Sequence, residues 1–419
     1  MSGQVDLLIL GAGPAGMAAA LAAAPSGMRI AIVDDNPLPG GQIWRDGPQA
    51  RLPTLASDMR AQLQRHRHIE LYSSCKVVAL AGPKRLLLED PQRGWVLGYD
   101  KLIVCTGARE LLLPFPGWTL PGVTGAGGLQ ALIKGGLPVA GERMVIAGSG
   151  PLLLASASTA SKAGADVVRI AEQAALAAVA GFAARLWRWP GKAAQAFTLA
   201  SPVYRTSAQV LAALGSDRLE AVRVQVGRRV EEIACDRLAC GFSLVPNIEI
   251  ARALGCGIGN QAIVVDQWQA STLADHYAAG ECTGFGGSEL ALLEGRIAGL
   301  VAIGQQDQAH ALWPARQRWQ RFADHLNQAF ALNPALKHFA EPSTLVCRCE
   351  DVSYAALAEH DNWTAAKLAT RCGMGACQGR ICATAAQTLF GWEPPRLRPP
   401  FSPARIATLA CLDEAADNL

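Results

Sequence analysis

The chain is poor in charge and in aromatic side chains. Only 17% of its 419 residues are charged and 6% are aromatic, whereas half are hydrophobic. Because soluble proteins average about 25% charged residues, this composition excludes a disordered chain, a coiled coil and a charged tail. A net charge of +3, from 38 basic and 35 acidic residues, gives no reason to expect a nucleic-acid partner.

Signals for export and for catalysis are also missing. The strand-like run 5–10 has no basic leader before it, so we expect no secretory signal and a cytoplasmic location. The uncharged stretch 144–161 has the length of a membrane span, but its Gly148-Ser149-Gly150-Pro151 predicts a strand, a turn and a helix instead. There is no Cys-x-x-Cys pair, and the seven histidines are scattered. The sequence therefore predicts cofactor sites without a catalytic acid or base.

The first glycine turn has the pattern of a dinucleotide-binding site. Gly11-Ala12-Gly13-Pro14-Ala15-Gly16 follows a strand-like run and opens an alanine-rich helical run, and a second strand ends at Asp34. In this pattern the first glycine makes the turn, the second lets the backbone approach a pyrophosphate, and the third lets the helix pack on the strand. Asp34, 23 residues after Gly11, is placed to accept hydrogen bonds from a ribose.

A second strand and glycine turn occupy residues 143–153, and the strand that follows them ends at Glu172. Leu153 stands where a third glycine would allow close helix packing, and no arginine cluster for a 2′-phosphate lies near Glu172. Two interpretations stay open: an adenine nucleotide bound in this domain, or a domain that is purely structural.

Five of the 12 cysteines fall between residues 347 and 382. Two close pairs, Cys347 with Cys349 and Cys372 with Cys377, can hold a 2Fe–2S cluster because each iron takes two cysteine ligands. Zinc is the alternative metal, although its structural sites usually have two to four residues between cysteines; unliganded thiols are the other alternative. Cys382 could ligate in place of Cys377, but it is left out of the ligand set because a helix is predicted from residue 383. Helical patterns at 353–360 and 364–371 predict a small helical module.

Three further motifs resemble those of the flavoprotein superfamily with two dinucleotide-binding domains, which includes thioredoxin reductase and ferredoxin reductases. They are Gly40-Gly41-Gln42, residues 99–107, which end in Thr106-Gly107, and residues 277–281, which end in Gly280-Glu281. The acid of the last motif is generally aspartate, so Glu281 departs from the pattern by one methylene. The resemblance implies FAD, held by Gly11, Gly13, Pro14, Ala15, Gly16, Asp34, Gly41, Gln42, Val77, Thr106, Gly107, Gly280 and Glu281.

Longer motifs narrow the resemblance to one family. Residues 114–123, the turn at 148–153 and residues 371–380 are similar to those of the α (A-type) chains of multi-subunit amino-acid dehydrogenases. This family includes the α-type chains of opine oxidase, hydrogen cyanide synthase, dye-linked proline or D-hydroxyproline dehydrogenase and sarcosine oxidase. The cysteine segment resembles the 2Fe–2S domain of bacterioferritin-associated ferredoxin, which implies Cys347, Cys349, Cys372 and Cys377 as ligands.

The resemblance implies a division of labour between the chains of a complex. A β subunit similar to D-amino-acid oxidases would oxidise the amine, and this chain would carry the electrons to a quinone or dye-type acceptor. Through that acceptor the complex would lie peripherally on the inner membrane, as an alternative to a free cytoplasmic location. A small ferredoxin-like γ subunit, FMN at the interface with the partner, and NAD or ATP in the second domain are left open by the resemblance.

The expected fold class is α/β, with two Rossmann-like dinucleotide-binding domains and a small helical C-terminal 2Fe–2S module. The predicted domains are a discontinuous FAD domain (1–110 and 250–330), a second dinucleotide-type domain (111–249), the cluster module (340–390) and a proline-rich tail (391–419). That tail is expected to wrap over the body or a partner. Two rival functions remain: an NAD(P)H-dependent ferredoxin or nitrite-reductase-type flavoprotein, and a scaffold with structural nucleotides and metal.

Overall fold

The computed structural model describes residues 3–48, 50–393 and 398–416, with only the backbone described for 413–416. The strands are β1 Gly3–Leu10, β2 Ile30–Val33, β3 Ile69–Tyr72, β4 Lys76–Leu80, β5 Arg85–Glu89, β6 Gly94–Val104, β7 Ala108–Leu111, β8 Val123–Gly125, β9 Arg143–Gly148, β10 Asp166–Glu172, β11 Tyr204–Arg205, β12 Ala208–Leu214, β13 Ala221–Val226, β14 Arg229–Ala234, β15 Arg237–Gly241, β16 Ser243–Pro246, β17 Ile258–Gly259, β18 Ala262–Ile263, β19 His276–Ala278, β20 Leu345–Cys347 and β21 Val352–Ser353. The helices are α1 Pro14–Ala23, α2 Thr54–Arg65, α3 Ala126–Lys134, α4 Leu152–Lys162, α5 Leu176–Ala183, α6 Pro190–Thr198, α7 Glu249–Leu254, α8 Ser288–Ala302, α9 Gln306–His310, α10 Trp313–Ala329, α11 Tyr354–Ala358, α12 Trp363–Thr370, α13 Cys382–Phe390 and α14 Ile406–Ala416.

The first sheet has the order β3-β2-β1-β6-β5-β4, with β19 beside the C-terminal half of β6. Strands β1, β2, β3, β6 and β19 are parallel, and most of them are apolar runs because helices or further chain cover both faces. Helices α1 and α8 pack tightly on one face. A methyl group added at Gly295 would lie 2.1 Å from the Ala15 carbonyl oxygen, so α8 touches α1 backbone to backbone.

The second sheet, β11-β10-β9-β15-β8, is parallel throughout. Helices α3 and α4 cover one face, and the antiparallel sheet β12-β13-β14 covers the other. An antiparallel ribbon of β7 and β16 joins this unit to the first sheet. The chain thus leaves the first sheet after β6 and returns to it with β19.

The cysteine segment forms a hairpin, β20-β21, and three short helices around their own apolar core. The two predicted helical patterns are present as α11 and α12; the cap of α12 is Asn362, whose side chain accepts a bond from Ala365 N. The Trp118 indole donates to the Leu345 carbonyl (2.6 Å) and Arg109 Nε to the Arg380 carbonyl (3.3 Å), so the module rests on the second unit and on the ribbon. The predicted fold class is confirmed. Within the described ranges, no helix is both long and apolar enough to cross a membrane.

The C-terminal segment 398–416 lies on the outer part of the first sheet. Phe401 is buried in that sheet's core and donates its backbone N–H to the Val78 carbonyl (2.7 Å), and α14 packs over β5 and β6. This part of the predicted tail therefore wraps over the body; residues 394–397 lie outside the described residues.

Glu89 holds this segment in place. Its carboxylate accepts from the Arg405 backbone N–H (2.9 Å) and forms ion pairs with Lys76 (3.1 Å) and the Arg405 guanidinium (3.4 Å). Burial raises the pKa of Glu89, but the hydrogen bonds from the C-terminal segment and from Lys76 outweigh it and lower the pKa to about 2.

Glu89→Gln is expected to loosen the C-terminal helix. Loss of the charge-assisted bonds should lower the opening free energy by about 1–2 kcal/mol, so the α14 amides should exchange about 5- to 30-fold faster near neutral pH. Because the folded pKa lies below the ordinary 4.5, the advantage of the wild type is present above that value and should vanish as the pH falls toward 2. Glu220→Gln, an exposed carboxyl in the second unit, is the control. Equal exchange in all three proteins would contradict this role.

Candidate functional site

The first glycine turn brings α1 directly onto the end of β1. A methyl group at Gly16 would lie 1.8 Å from the Gly11 carbonyl oxygen, so only glycine permits this approach of helix to strand. Pro14 is the first residue of α1 and Ala15 the second, which places the free N–H groups of this turn at the edge of the sheet.

Asp34 is buried at the end of β2. One carboxylate oxygen accepts from the Ala12 N–H (2.5 Å), and the other accepts from the backbone and side-chain N–H groups of Asn36 (both 2.8 Å). Asp34 thus joins the glycine turn to the loop after β2 and presents its carboxylate where the sequence predicts a ribose.

The second motif lies against the first turn. The Gly40 N–H donates to the Ala12 carbonyl (2.8 Å), and a methyl group built on Gly13 would meet only the Gly41 Cα, at 3.9 Å. Gln42 is exposed beside this opening, where its amide accepts from Arg45 (2.8 Å). A methyl group built on Gly41 would lie 3.1 Å from the Gly13 Cα, so the two backbone segments touch. Both glycines are partly exposed, and a backbone surface without side chains suits the close approach of a pyrophosphate.

Val77 and the Thr106-Gly107 pair belong to the same sheet. Val77 lies in β4 and is buried in the core of the first sheet. Thr106 follows β6, and its hydroxyl donates to the Asn247 carbonyl (2.6 Å) while the Asn247 amide donates to the Thr106 carbonyl (2.8 Å). Asn247, 141 residues away in sequence, was missed by sequence reasoning because no local pattern marks it.

The last motif turns beneath α1. A methyl group at Gly280, which has a φ of +82°, would lie 2.9 Å from the Ala15 side chain. The Gly280 N–H donates to Glu294 (2.9 Å), a buried residue of α8 that sequence reasoning did not single out. Burial raises the pKa of Glu294 to about 7 and also raises the pKa of Glu281. The structure therefore brings the glycine turn and the two later motifs that end at Gly107 and Glu281 to one edge of one sheet.

This edge fits FAD. Gly13 and Gly41 present backbone without side chains at the α1 N-terminus, where a phosphate group can approach, and Asp34 follows the adjacent strand. Glu281 forms no side-chain hydrogen bond with any described residue, so its carboxylate is available to a ligand.

Three thiols meet inside the cysteine module. The sulfur atoms of Cys347, Cys372 and Cys382 all lie within 4.8 Å of one another, and all three residues are buried. Hydrogen bonds among these thiols lower the pKa of Cys347 and raise those of Cys372 and Cys382. Three sulfur ligands at this spacing are suited to an iron–sulfur cluster or zinc.

The other two thiols form a pair at the surface. Cys349 is exposed and Cys377 is half-buried, and the two lie close enough for Cys377 to act on the pKa of the Cys349 thiol. A methyl group at Gly375 would lie 2.2 Å from the Cys349 Cβ, so the loop 373–381 can pass over Cys349 only with glycine at this position.

The structure adds Cys382 to the candidate ligands predicted from the sequence. It was excluded because a helix was predicted from residue 383, and α13 does begin there, with Cys382 as its first residue. The first residue of a helix can still direct its side chain away from the helix, and the Cys382 sulfur lies beside those of Cys347 and Cys372. Five thiols, not four, are therefore candidates for ligands.

Comparison with known proteins agrees with this geometry. Residues 5–308 match the sequence profile of the pyridine nucleotide-disulphide oxidoreductase family. The chain belongs to this family. It is thus an oxidoreductase of a family that binds FAD and a nucleotide, and the cysteine module lies beyond the matched region.

Relatives that extend over the whole chain place it among the α-type chains of multi-subunit amino-acid dehydrogenases. The A chain of opine oxidase from Agrobacterium tumefaciens is 30% identical over an alignment of 474 positions, which covers 100% of this chain and 94% of the relative. The HcnB chain of hydrogen cyanide synthase from Pseudomonas protegens is 29% identical, covering 90% of each chain. The family predicted from the motifs is confirmed.

Solved structures show the same fold. L-proline dehydrogenase from P. horikoshii aligns with a TM-score of 0.68 at 18% identity, covering 97% of this chain and 79% of that one. Thioredoxin reductase from T. acidophilum aligns with a TM-score of 0.57 at 20% identity, covering 73% of this chain and 99% of that one.

Gly13→Ala is expected to leave the fold intact and to weaken FAD binding about tenfold or more. The added methyl group meets no atom of the chain closer than 3.9 Å, but it would stand on the backbone surface that the pyrophosphate must approach closely. FAD content and FAD affinity, with circular dichroism as the check on folding, measure the effect. Gly191→Ala, which adds a methyl group in open space on α6, is the control. Equal FAD affinity in both variants would place the pyrophosphate elsewhere.

Proposed function

We propose that this chain is the electron-transfer component of a heteromeric amino-acid dehydrogenase that acts on CH–NH bonds. A D-amino-acid-oxidase-like β subunit would oxidise the substrate. Oxidation of CH–NH to C=N releases two electrons, which this chain would accept and deliver to a quinone or dye-type acceptor.

The observation that carries the proposal is the extent of the match to the A chain of opine oxidase. It spans the whole chain, so the segments that form the flavoprotein body and the cysteine module here both align with a protein named as one subunit of an oxidase. A likeness to thioredoxin reductase alone would account for only 73% of the chain.

Each site has residues suited to one part of this task. FAD would be held at the α1 N-terminus against the backbone of Gly13 and Gly41, with Asp34 at its ribose and Glu281 as a further polar contact. When bound, FAD supplies two-electron chemistry and a 2Fe–2S cluster supplies one-electron chemistry. A chain that held both FAD and the cluster would suit a donor that releases electrons in pairs and an acceptor that takes them one at a time.

For the cluster we propose Cys347, Cys349 and Cys377 as ligands, with the fourth ligand supplied from the buried pair of Cys372 and Cys382. Cys349 and Cys377 contact each other and would share one iron. Cys347 lies beside the other two thiols and would share the second iron with one of them. This proposal allows two ligand sets, one with Cys372 and one with Cys382. The set with Cys372 is the one predicted from the sequence.

Cys349→Ser is expected to remove iron and the visible absorbance of the cluster while leaving FAD bound, because serine is a poor ligand for this soft site. Cys372→Ser and Cys382→Ser should differ: the variant that loses its iron identifies the fourth ligand. Metal analysis together with EPR of the reduced protein gives the result. Cys411→Ser, a thiol in the C-terminal helix, is the control. Zinc in the purified wild type, or full iron content after Cys349→Ser, would refute the assignment.

The division of labour predicts that this chain by itself does not oxidise amino acids. When it is purified through an affinity tag from its own host, we expect a D-amino-acid-oxidase-like chain to co-purify. The complex should reduce a dye with an opine, glycine, sarcosine or proline-type substrate, and the isolated chain should be inactive with all of them. Dye reduction by the isolated chain would place the oxidation site in this polypeptide and would overturn the proposed function.

A further inference from the structure

The second glycine turn is covered by another part of the chain. Residues 330–333, here called the connector, link α10 to the short helix Pro334–His338 that leads to the cysteine module. A methyl group built on Gly150 would meet the Phe330 side chain at 3.7 Å, and Gly150 is buried. In a dinucleotide site this second glycine is the point at which the pyrophosphate approaches the backbone.

Polar side chains of the second site bind the connector. The Ser149 hydroxyl donates to the Phe330 carbonyl (2.9 Å). The Gln173 amide donates to the Ala331 carbonyl (2.9 Å) and accepts from the Asn333 N–H (2.8 Å). Ser149 belongs to the glycine turn and Gln173 follows the acid at the end of β10, so the connector lies where phosphate and ribose would lie.

The acid of the second site has all its hydrogen bonds inside the protein. Glu172 is 0% exposed. One of its oxygens accepts from Gly150 N (2.7 Å) and the Tyr204 hydroxyl (3.3 Å), and the other accepts from Ala174 N (2.9 Å). Asp34 accepts as many internal hydrogen bonds, but it is 7% exposed. Glu172 has no exposed surface through which a ribose hydroxyl could reach its carboxylate.

The helix after the second turn also differs from α1. Pro151, three residues after Gly148, already has helical dihedrals, as Pro14 has three residues after Gly11, so the two helices start alike. The difference lies at the third glycine position, where Leu153 is completely buried in the core beneath α4. The close contact of helix and strand backbone that Gly16 allows in the first turn therefore has no glycine to permit it here.

We propose that the second dinucleotide-type domain binds no nucleotide and that its nucleotide position anchors the connector to the cysteine module. Phe330 covers Gly150, where a pyrophosphate would approach, and packs in one cluster with Phe182 and Phe322. The connector backbone takes the hydrogen bonds of a phosphate and ribose. This inference goes beyond the proposed function and does not depend on the substrate or on the partner. It departs from the pyridine nucleotide binding that the family name implies.

The direct test is nucleotide binding by the complete, cofactor-loaded protein. NADH, NADPH and ATP are each titrated to about 1 mM, a concentration at which a working site of ordinary affinity is filled. Calorimetry reports binding, and flavin absorbance under anaerobic conditions reports reduction. We expect no saturable binding and no flavin reduction by either nicotinamide. Saturable binding of any of the three that Phe330→Trp abolishes would overturn the proposal, because it would place the ligand in this site.

A second test examines the anchoring of the connector. Gln173→Ala and Phe330→Ala should each release it, and trypsin should then cleave after the exposed Lys337 about three- to tenfold faster. Phe197→Ala, an exposed phenylalanine of the same unit (84% exposed), is the matched control and should leave the rate unchanged. Retained FAD and iron show that the variants are folded. Unchanged cleavage in folded Gln173→Ala would refute the anchor, whether or not the chain transfers electrons from a partner.

Discussion

The close approach of α1 to its neighbours is the constraint on which the flavoprotein body depends. On one side Gly16 meets the Gly11 carbonyl, and on the other Ala15 is covered by Gly295 and Gly280, at distances that exclude a side chain. The helix is therefore positioned by backbone contacts, which leave no slack for rotation or shift. The free N–H groups at the start of α1 lie at the edge of the sheet where FAD is expected. The packing of the helix therefore also fixes the positions of these donors.

Short-range features of the site could be predicted from the sequence, and long-range ones could not. The glycine turn with Asp34 and the two thiol pairs are patterns with fixed offsets that require one local geometry. In contrast, Thr106 meets Asn247 across 141 residues, and Gln173 meets Ala331 across 158. Single polar residues carry no periodic signal, so only the folded chain brings such pairs together. The position of the Cys382 sulfur beside those of Cys347 and Cys372 could not be predicted for a related reason. The boundary of a helix does not determine the direction of its first side chain.

Four buried or half-buried carboxylates of this protein accept hydrogen bonds from backbone N–H groups. Asp34 and Glu172 bind N–H groups of the two glycine turns, Glu294 binds Gly280, and Glu110 binds the N–H groups of Gly127 and Gly128 at the start of α3. Burial raises the pKa of Glu172, Glu110 and Glu294. A protein with few charges thus places several of its acids where turns and helix starts would otherwise leave donors unpaired.

The five thiols of the cysteine module are divided between its interior and its surface. Cys347, Cys372 and Cys382 are enclosed by the module's own core, while Cys349 and Cys377 lie at its outer edge. The outer pair is therefore the part of the proposed ligand set that solvent reaches. Under that proposal iron would enter the module at this edge, and an oxidant would meet Cys349 and Cys377 before the enclosed thiols.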